Sequence, residues 1–170
     1  MTSIHGPEPL VDAIIQKLKS GLAERIALIN AEAADNIVVT TPQDVDYYTA
    51  PIDELPVAPA IIVYAGPATY AEEGSHSFIT SYDICAYILE EDSDRQILGR
   101  RLQRQARAII EALWDDEPRE AISNPDSDIP LAYRIRPRTT APGRVFEESA
   151  TDSWRGFYLV IFQASMFEGD

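Results

Sequence analysis

The fold is decided by residues 76–90, which read HSFITSYDICAYILE. Side chains at alternate positions of an extended chain share one face. One face takes Phe78, Thr80, Tyr82, Ile84, Ala86 and Ile88, and the other takes Ile79, Ser81, Asp83, Cys85, Tyr87 and Leu89. A strand of this length would span about 50 Å, whereas strands usually have ~5–6 residues. We therefore expect a strand that extends beyond the core of its own domain.

Further strands lie on both sides of this segment. Residues 60–64, AIIVY, read as a buried strand that Gly66-Pro67 ends, and residues 37–39 are a candidate short strand. Residues 154–167 carry apolar side chains on both faces, as a central strand does. Residues 131–136 predict a strand that Pro137 ends, followed by a loop over 137–153. The pairs 60–66/76–90 and 131–136/154–167 have non-helical connections, which favours antiparallel pairing.

Two amphipathic helices complete the pattern. The first covers about Pro9–Ala34, with apolar residues at steps of three and four and a potential break at Gly21. The second covers about Ser93–Trp114, with Ser93 or Asp94 as its N-cap. The sequence thus predicts one α+β domain over residues 1–170, in which an antiparallel or mixed sheet packs against two main helices. Long connections are expected at 40–59, 115–130 and 137–153.

The charge is strongly acidic and unevenly distributed. The chain has 28 Asp and Glu against 14 Lys and Arg, a net charge of −14. This sign repels phosphate and anionic membrane surfaces, which excludes a generic nucleic-acid binder. Residues 1–92 carry 3 cations and 15 acids, whereas residues 93–170 carry 11 arginines and 13 acids. The cations of the second part are all arginine.

The residues that carry enzyme chemistry are scarce. Cys85 is the single cysteine, so an intrachain disulfide and a cysteine zinc site are excluded. His5 and His76 are the histidines, and neither has metal-site spacing. The acidic clusters at 90–92, 115–117 and 126–128 lack the spacing of a calcium loop and are read as solvated acids. We expect no catalytic site, no metal and no cofactor, and neither a signal peptide nor a membrane-spanning segment is visible.

The arginines form two candidate subunit-interface sets. Arg100, Arg104 and Arg107 share a helix face with Arg101 on its flank, and Arg134, Arg136 and Arg138 alternate along a strand and its end. Arginine suits bidentate binding of carboxylates, and in so acidic a protein we expect those carboxylates on neighbouring copies. Plain solvation of both sets is the alternative.

This layout resembles the tail terminator, or tail-completion, proteins of long-tailed bacteriophages. The matching features are the first helix, the strand PAIIV at 59–63, the acid-ended strand YDICAYILE at 82–90, the helix at 96–113 and the apolar last strand at 156–167. The resemblance implies a non-enzymatic virion protein forming a ring, commonly of six subunits, at the head-proximal end of the tail. Its implied partners are its own copies, the tail tube protein, the head–tail connector or neck protein and potentially the sheath protein. DNA would pass through without sequence-specific binding, and assembly would take place in the host cytoplasm.

Two alternatives stay open at this point. A head-completion, neck or tail-tube subunit would share much of the same pattern. An alternative of another class is a small enzyme or ligand-binding domain with a pocket between the sheet and Trp114, Trp154 and Tyr158.

Overall fold

Two helices contribute one layer of the fold. The computed structural model describes residues 6–49, 56–72, 77–114, 122–124, 127–132, 134–148 and 152–169. Helix α1 is Glu8–Glu32 and helix α2 is Arg95–Leu113. The Asp94 carboxylate caps α2 by accepting hydrogen bonds from the backbone N–H groups of Gln96, at 2.7 Å, and Ile97, at 3.3 Å.

Helix α1 runs without a break through Gly21. A Cβ atom at this position would lie 3.9 Å from the Cβ of Ala112 in α2. Gly21 therefore lies where the two helices pack together, and packing maintains the helix across the residue that weakens it locally.

A five-stranded sheet forms the second layer. Its strands are β1 Tyr47–Tyr48, β2 Ala60–Glu72, β3 Ser77–Asp92, β6 Arg134–Glu148 and β7 Ser153–Gly169. Their order is β1-β2-β3-β7-β6, with β1 parallel to β2 and every other pair antiparallel. The predicted α+β class, with a mixed sheet and two helices, is confirmed. Strands β4, Ile122–Asn124, and β5, Ser127–Ala132, form a separate two-stranded sheet.

The two long strands pair with each other over almost their whole length. Strand β3 has 16 residues and β7 has 17, and their pairing extends from Ser77↔Gly169 to Asp92↔Trp154. Both were expected to be long, and the alternation predicted for β3 matches the faces seen. Tyr82, Ile84, Ala86 and Ile88 are buried in the core cluster shared with the helices.

Two strands continue through prolines at which the sequence predicted that they would end. Strand β2 continues through Gly66-Pro67 with a register shift between Ala65 and Ala68. Strand β6 crosses Pro137 and occupies most of the predicted 137–153 loop, with register shifts at Pro137/Thr139 and Pro142/Val145. β6 is an edge strand, where a missing N–H can face away from the sheet, so its prolines are tolerated.

The expected short strand at residues 37–39 is absent from the described fold. Val39 is instead held by the Asn30 side chain, which accepts from the Val39 N–H at 2.9 Å and donates to the Val39 carbonyl at 3.0 Å. An amide side chain on α1 thus satisfies the backbone groups that a neighbouring strand would otherwise bind.

The core lies between the helices and one face of the sheet. Helix α2 packs across β3 and β7, closest at Gly156. A Cβ atom at Gly156 would lie 2.8 Å from Leu102 Cδ1 and 3.2 Å from Leu98 Cδ2. Both helices therefore cover the same face of the sheet, and the opposite face carries the second set of alternating side chains.

Candidate assembly surfaces

The sheet face opposite the helices is apolar over one half. The rings of Tyr64 and Tyr87 stack with their centroids 5.8 Å apart, and those of Phe146 and Phe157 lie 5.9 Å apart. Leu159, paired with Tyr87, and Ile161, paired with Cys85, are half-buried on the same face. We call this region the helix-free apolar face, defined by Tyr64, Tyr87, Phe157, Leu159 and Ile161. Neither helix contributes a layer over it.

The other half of the helix-free face is polar. Arg138 Nη1 donates to both carboxylate oxygens of Asp83 at 2.6 Å, reaching across β7 from the bulge between Pro137 and Thr139. Ser81 and Ser165 are hydrogen-bonded at 3.0 Å. The face therefore changes from aromatic to charged along the strands.

The helix arginines contact carboxylates of the same chain. Arg104 Nη2 lies 2.7 Å from both Asp35 oxygens, and its Nη1 donates to the Ile37 carbonyl at 2.5 Å. Arg100 binds the same carboxylate at 2.9 Å. The hydrogen bond from Arg104 is the main cause that lowers the pKa of Asp35.

Arg101 and Arg107 are engaged in the same way. Arg101 lies 2.9 Å from Asp92 and donates to the Thr40 hydroxyl at 2.7 Å. Arg107 binds Glu111 at 2.6 Å and Glu32 at 3.0 Å. The carboxylates expected on neighbouring copies are, for these four arginines, in the chain itself. Their role at a subunit interface stays a prediction.

The strand arginines lie on the edge strand β6. Arg136 and Arg138 are exposed, and Arg134 belongs to the same strand, with its side chain outside the described residues. Arg144 is a further exposed arginine of β6 that the sequence reading missed, because it fell in the predicted loop. Residues 144–148, RVFEE, do not alternate between apolar and polar side chains, so the sequence carried no period-2 signal for a continued strand.

The acidic cluster at 90–92 does not converge on one point. Glu90 is 2% exposed and faces α2, where burial raises its pKa to about 7. Glu91 points to the opposite face and binds Arg155 at 2.9 Å and the Ser153 hydroxyl, which lower its pKa. Since Asp92 pairs with Arg101, the three carboxylates cannot share a cation. Residues 115–117 and Asp126 lie outside the described residues.

The other candidates for chemistry do not assemble a site. Burial raises the pKa of the Cys85 thiol, which keeps it protonated and a poor nucleophile. His5 and His76 lie outside the described residues. Across the ranges that the structure describes, no cluster of three or more His, Cys, Asp or Glu could hold a metal ion. None of the described helices combines the length and apolarity needed to cross a membrane.

A groove of about 540 Å³ lies between α2, α1 and the β6–β7 pair. Trp114 and Tyr158 line it together with Arg25 and Arg107, so two of the three aromatic residues expected at a pocket are present. Trp154 instead lies against the guanidinium group of Arg95. The central carbon of that group is 5.4 Å from the centroid of the Trp154 ring. The groove carries no nucleophile paired with a base among the lining side chains.

Comparison with known proteins gives likenesses in structure and none in sequence. No protein-family model matches the chain, and no curated protein matches it. A chain of the solved virion of a native gene transfer agent particle aligns with 92% of this protein and 98% of its own length, with 15% identity and a TM-score of 0.43. An alignment this loose assigns neither a partner nor a role to this protein.

Proposed function

We propose that this protein is a non-enzymatic subunit of a ring that terminates the tail tube of a phage-like particle and joins it to the head-proximal connector. The order of helix, strand, long strand, helix and long terminal strand that carries the resemblance to tail terminators is the order of α1, β2, β3, α2 and β7. Its place is then the virion, at the head-proximal end of the tail.

The helix-free apolar face carries the proposal. Stacked aromatic rings and aliphatic side chains lie side by side on a sheet that the helices cover on one face alone. The five defining side chains are half-buried in the single chain, so each keeps apolar area that another protein can cover. In a ring subunit, sister copies or the adjoining tail tube and connector proteins would cover it.

The acidic charge suits passage of DNA through such a ring. Proteins bind DNA by neutralising its phosphates with Lys and Arg, and a net charge of −14 opposes that. Four of the described arginines, on α2, are further neutralised by carboxylates of their own chain. DNA would slide past rather than bind.

Light scattering of the purified protein is the first test. We expect a species several times 18.9 kDa, alone or together with tail tubes of the same particle. Leu159→Lys places a charge on the helix-free apolar face and should reduce the mass or the capping of tube ends. Leu28→Lys, at a side chain of α1 that is 47% exposed, is the matched control. A monomer under both conditions contradicts the proposal.

A head-completion, neck or tail-tube subunit would also expose such a face. The bound neighbour separates these functions: a terminator caps tube ends, whereas a tube subunit polymerises into tubes by itself. Electron microscopy of the same sample distinguishes a single closed ring at the tube end from a growing stack.

A further inference from the structure

We propose that the β6 edge of one copy binds the β1–β2 edge of the next copy through arginine–carboxylate contacts. The inference rests on the proposed ring and identifies the two surfaces that close it. The arginines of α2 form ion pairs within the chain. We therefore assign the contact with a neighbouring copy to the arginines of β6.

Charge is segregated along the strand order. Residues 26–94 contain no Lys or Arg, and they supply β1, β2 and β3. Strand β6 carries four arginines, Arg134, Arg136, Arg138 and Arg144, against two acids, Glu147 and Glu148. Because the order is β1-β2-β3-β7-β6, the acid-only strands β1 and β2 and the arginine strand β6 lie at opposite ends of one sheet.

The acidic end presents exposed carboxylates. Asp44 is exposed beside β1, and Glu72 is exposed at the end of β2. Asp46 is half-buried and accepts from the Gln43 N–H at 2.6 Å. Lys19 is a cation near this edge, 5.4 Å from the centroid of the Tyr47 ring, and does not reverse the sign of the edge.

The β6 end of the sheet presents exposed arginine side chains. Arg136 and Arg144 are exposed, and neither forms an ion pair with a carboxylate whose side chain the structure describes. Arg138 is also exposed but is held by Asp83. Arginine binds carboxylates with paired N–H groups, so these side chains suit the acids of a neighbouring copy.

The pairing register places Arg144 of β6 level with the β1 end of the acidic edge. Following the pairings across the sheet, the Arg144 segment between Pro142 and Val145 lies level with Phe157, Leu89 and Ala60, next to β1. Arg134 lies level with Ser165, Ser81 and Thr69, three residues from Glu72 in β2. A second copy displaced along the strand order would therefore bring Asp44 towards Arg144, and would place the backbone of Arg134 within three residues of the level of Glu72.

The strand directions also fit this arrangement. Strands β2, β3, β7 and β6 alternate in direction, so β2 of a displaced copy runs antiparallel to β6. The contact joins two different surfaces and is heterologous, and such contacts close into a ring when each step adds a suitable rotation. Prolines 137 and 142 limit backbone pairing along β6, which leaves side-chain charge as the main link.

A complementary pair of charge reversals tests the contact. Arg136→Glu with Arg144→Glu makes both edges acidic, and Asp44→Arg with Glu72→Arg makes the acidic edge basic. We expect each double variant alone to lose the oligomer and run near 18.9 kDa, and an equimolar mixture to regain the wild-type mass. Asp12→Arg with Glu24→Arg, on the exposed side of α1, is the matched control and should keep the oligomer.

Salt gives a second measurement on the wild-type protein. Exposed ion pairs are screened over ~3 Å in about 1 M salt, so the oligomer should dissociate more readily there than at low ionic strength. A wild-type oligomer that neither reversal nor salt weakens, or a mixture that stays monomeric, overturns the edge contact and leaves the ring standing. A wild-type protein that is monomeric throughout overturns both.

Discussion

Glu90 is the buried carboxyl group among the residues that the structure describes. It lies at the end of β3 beneath α2, next to the Gln105 side chain, which is fully buried. Among the described residues, Glu90 Oε1 and both polar atoms of the Gln105 side chain lack a hydrogen-bond partner. Loss of hydration raises the pKa of Glu90 to about 7, and the nearby Arg101 charge opposes that rise.

We predict that Glu90 makes the protein less stable as the pH rises from 4.5 to 7. The reference pKa is 4.5 and the folded pKa is about 7, so in this window the folded state binds more protons than the unfolded state. The free energy of unfolding then falls by about 3 kcal/mol and levels off above pH 7. Glu90→Gln should remove this loss, as measured by urea unfolding at pH 5 and pH 8.

Glu24→Gln, on the exposed side of α1, is the matched control for removal of a carboxylate. It should leave the pH dependence of the wild-type protein in place. Parallel pH dependences for the wild-type protein and Glu90→Gln would contradict the assignment.

At the scale of elements, the contact between α2 and β7 fixes how the two layers meet. The absence of a side chain at Gly156 allows Leu98 and Leu102 to rest directly on the strand. Gly99, in the same helix, has no atom within 4 Å of the place where its Cβ would stand. A side chain added at Gly156 would therefore meet its neighbours, whereas one added at Gly99 would have open space.

We predict opposite effects of alanine at these positions. Gly156→Ala forces buried leucine side chains out of position and should lower the free energy of unfolding by about 1–3 kcal/mol. Gly99→Ala should raise it by roughly 0.5–1 kcal/mol, because alanine loses less backbone freedom in a helix. Chemical denaturation of both variants measures the effects. Equal stability of Gly156→Ala and the wild-type protein would show that α2 does not rest on Gly156.

At the scale of the whole molecule, the net charge and its distribution oppose the binding of DNA. The net charge is −14, and the segregation of arginine to one sheet edge places the remaining positive charge where a neighbouring copy, rather than DNA, would neutralise it.

We predict that neither the protein nor its oligomer binds duplex DNA down to about 50 mM salt, as measured by fluorescence anisotropy of a labelled duplex. Binding that weakens steeply with added salt would reveal a phosphate-contacting surface and contradict passive passage of DNA. The organisation of residues 1–170 as one domain also stays a prediction.

The sequence by itself determined the elements with strong periodicity. Strands β3 and β7 and both helices were predictable because burial of one face or stripe repeats over many residues, and this repetition is local information. The Asp94 cap and the α+β class follow from equally local signals.

Only the tertiary structure decided the rest. Proline could not end β6, since an edge strand has no partner to demand the missing N–H, and Pro67 lies in β2 beyond the two residues that pair with β1. Asp35, the partner of Arg100 and Arg104, lies 65 and 69 residues away in sequence, and no spacing rule reveals such pairs. Strand order, which separates the acidic edge from the arginine edge, arises from pairing across the whole sheet and is absent from any single segment.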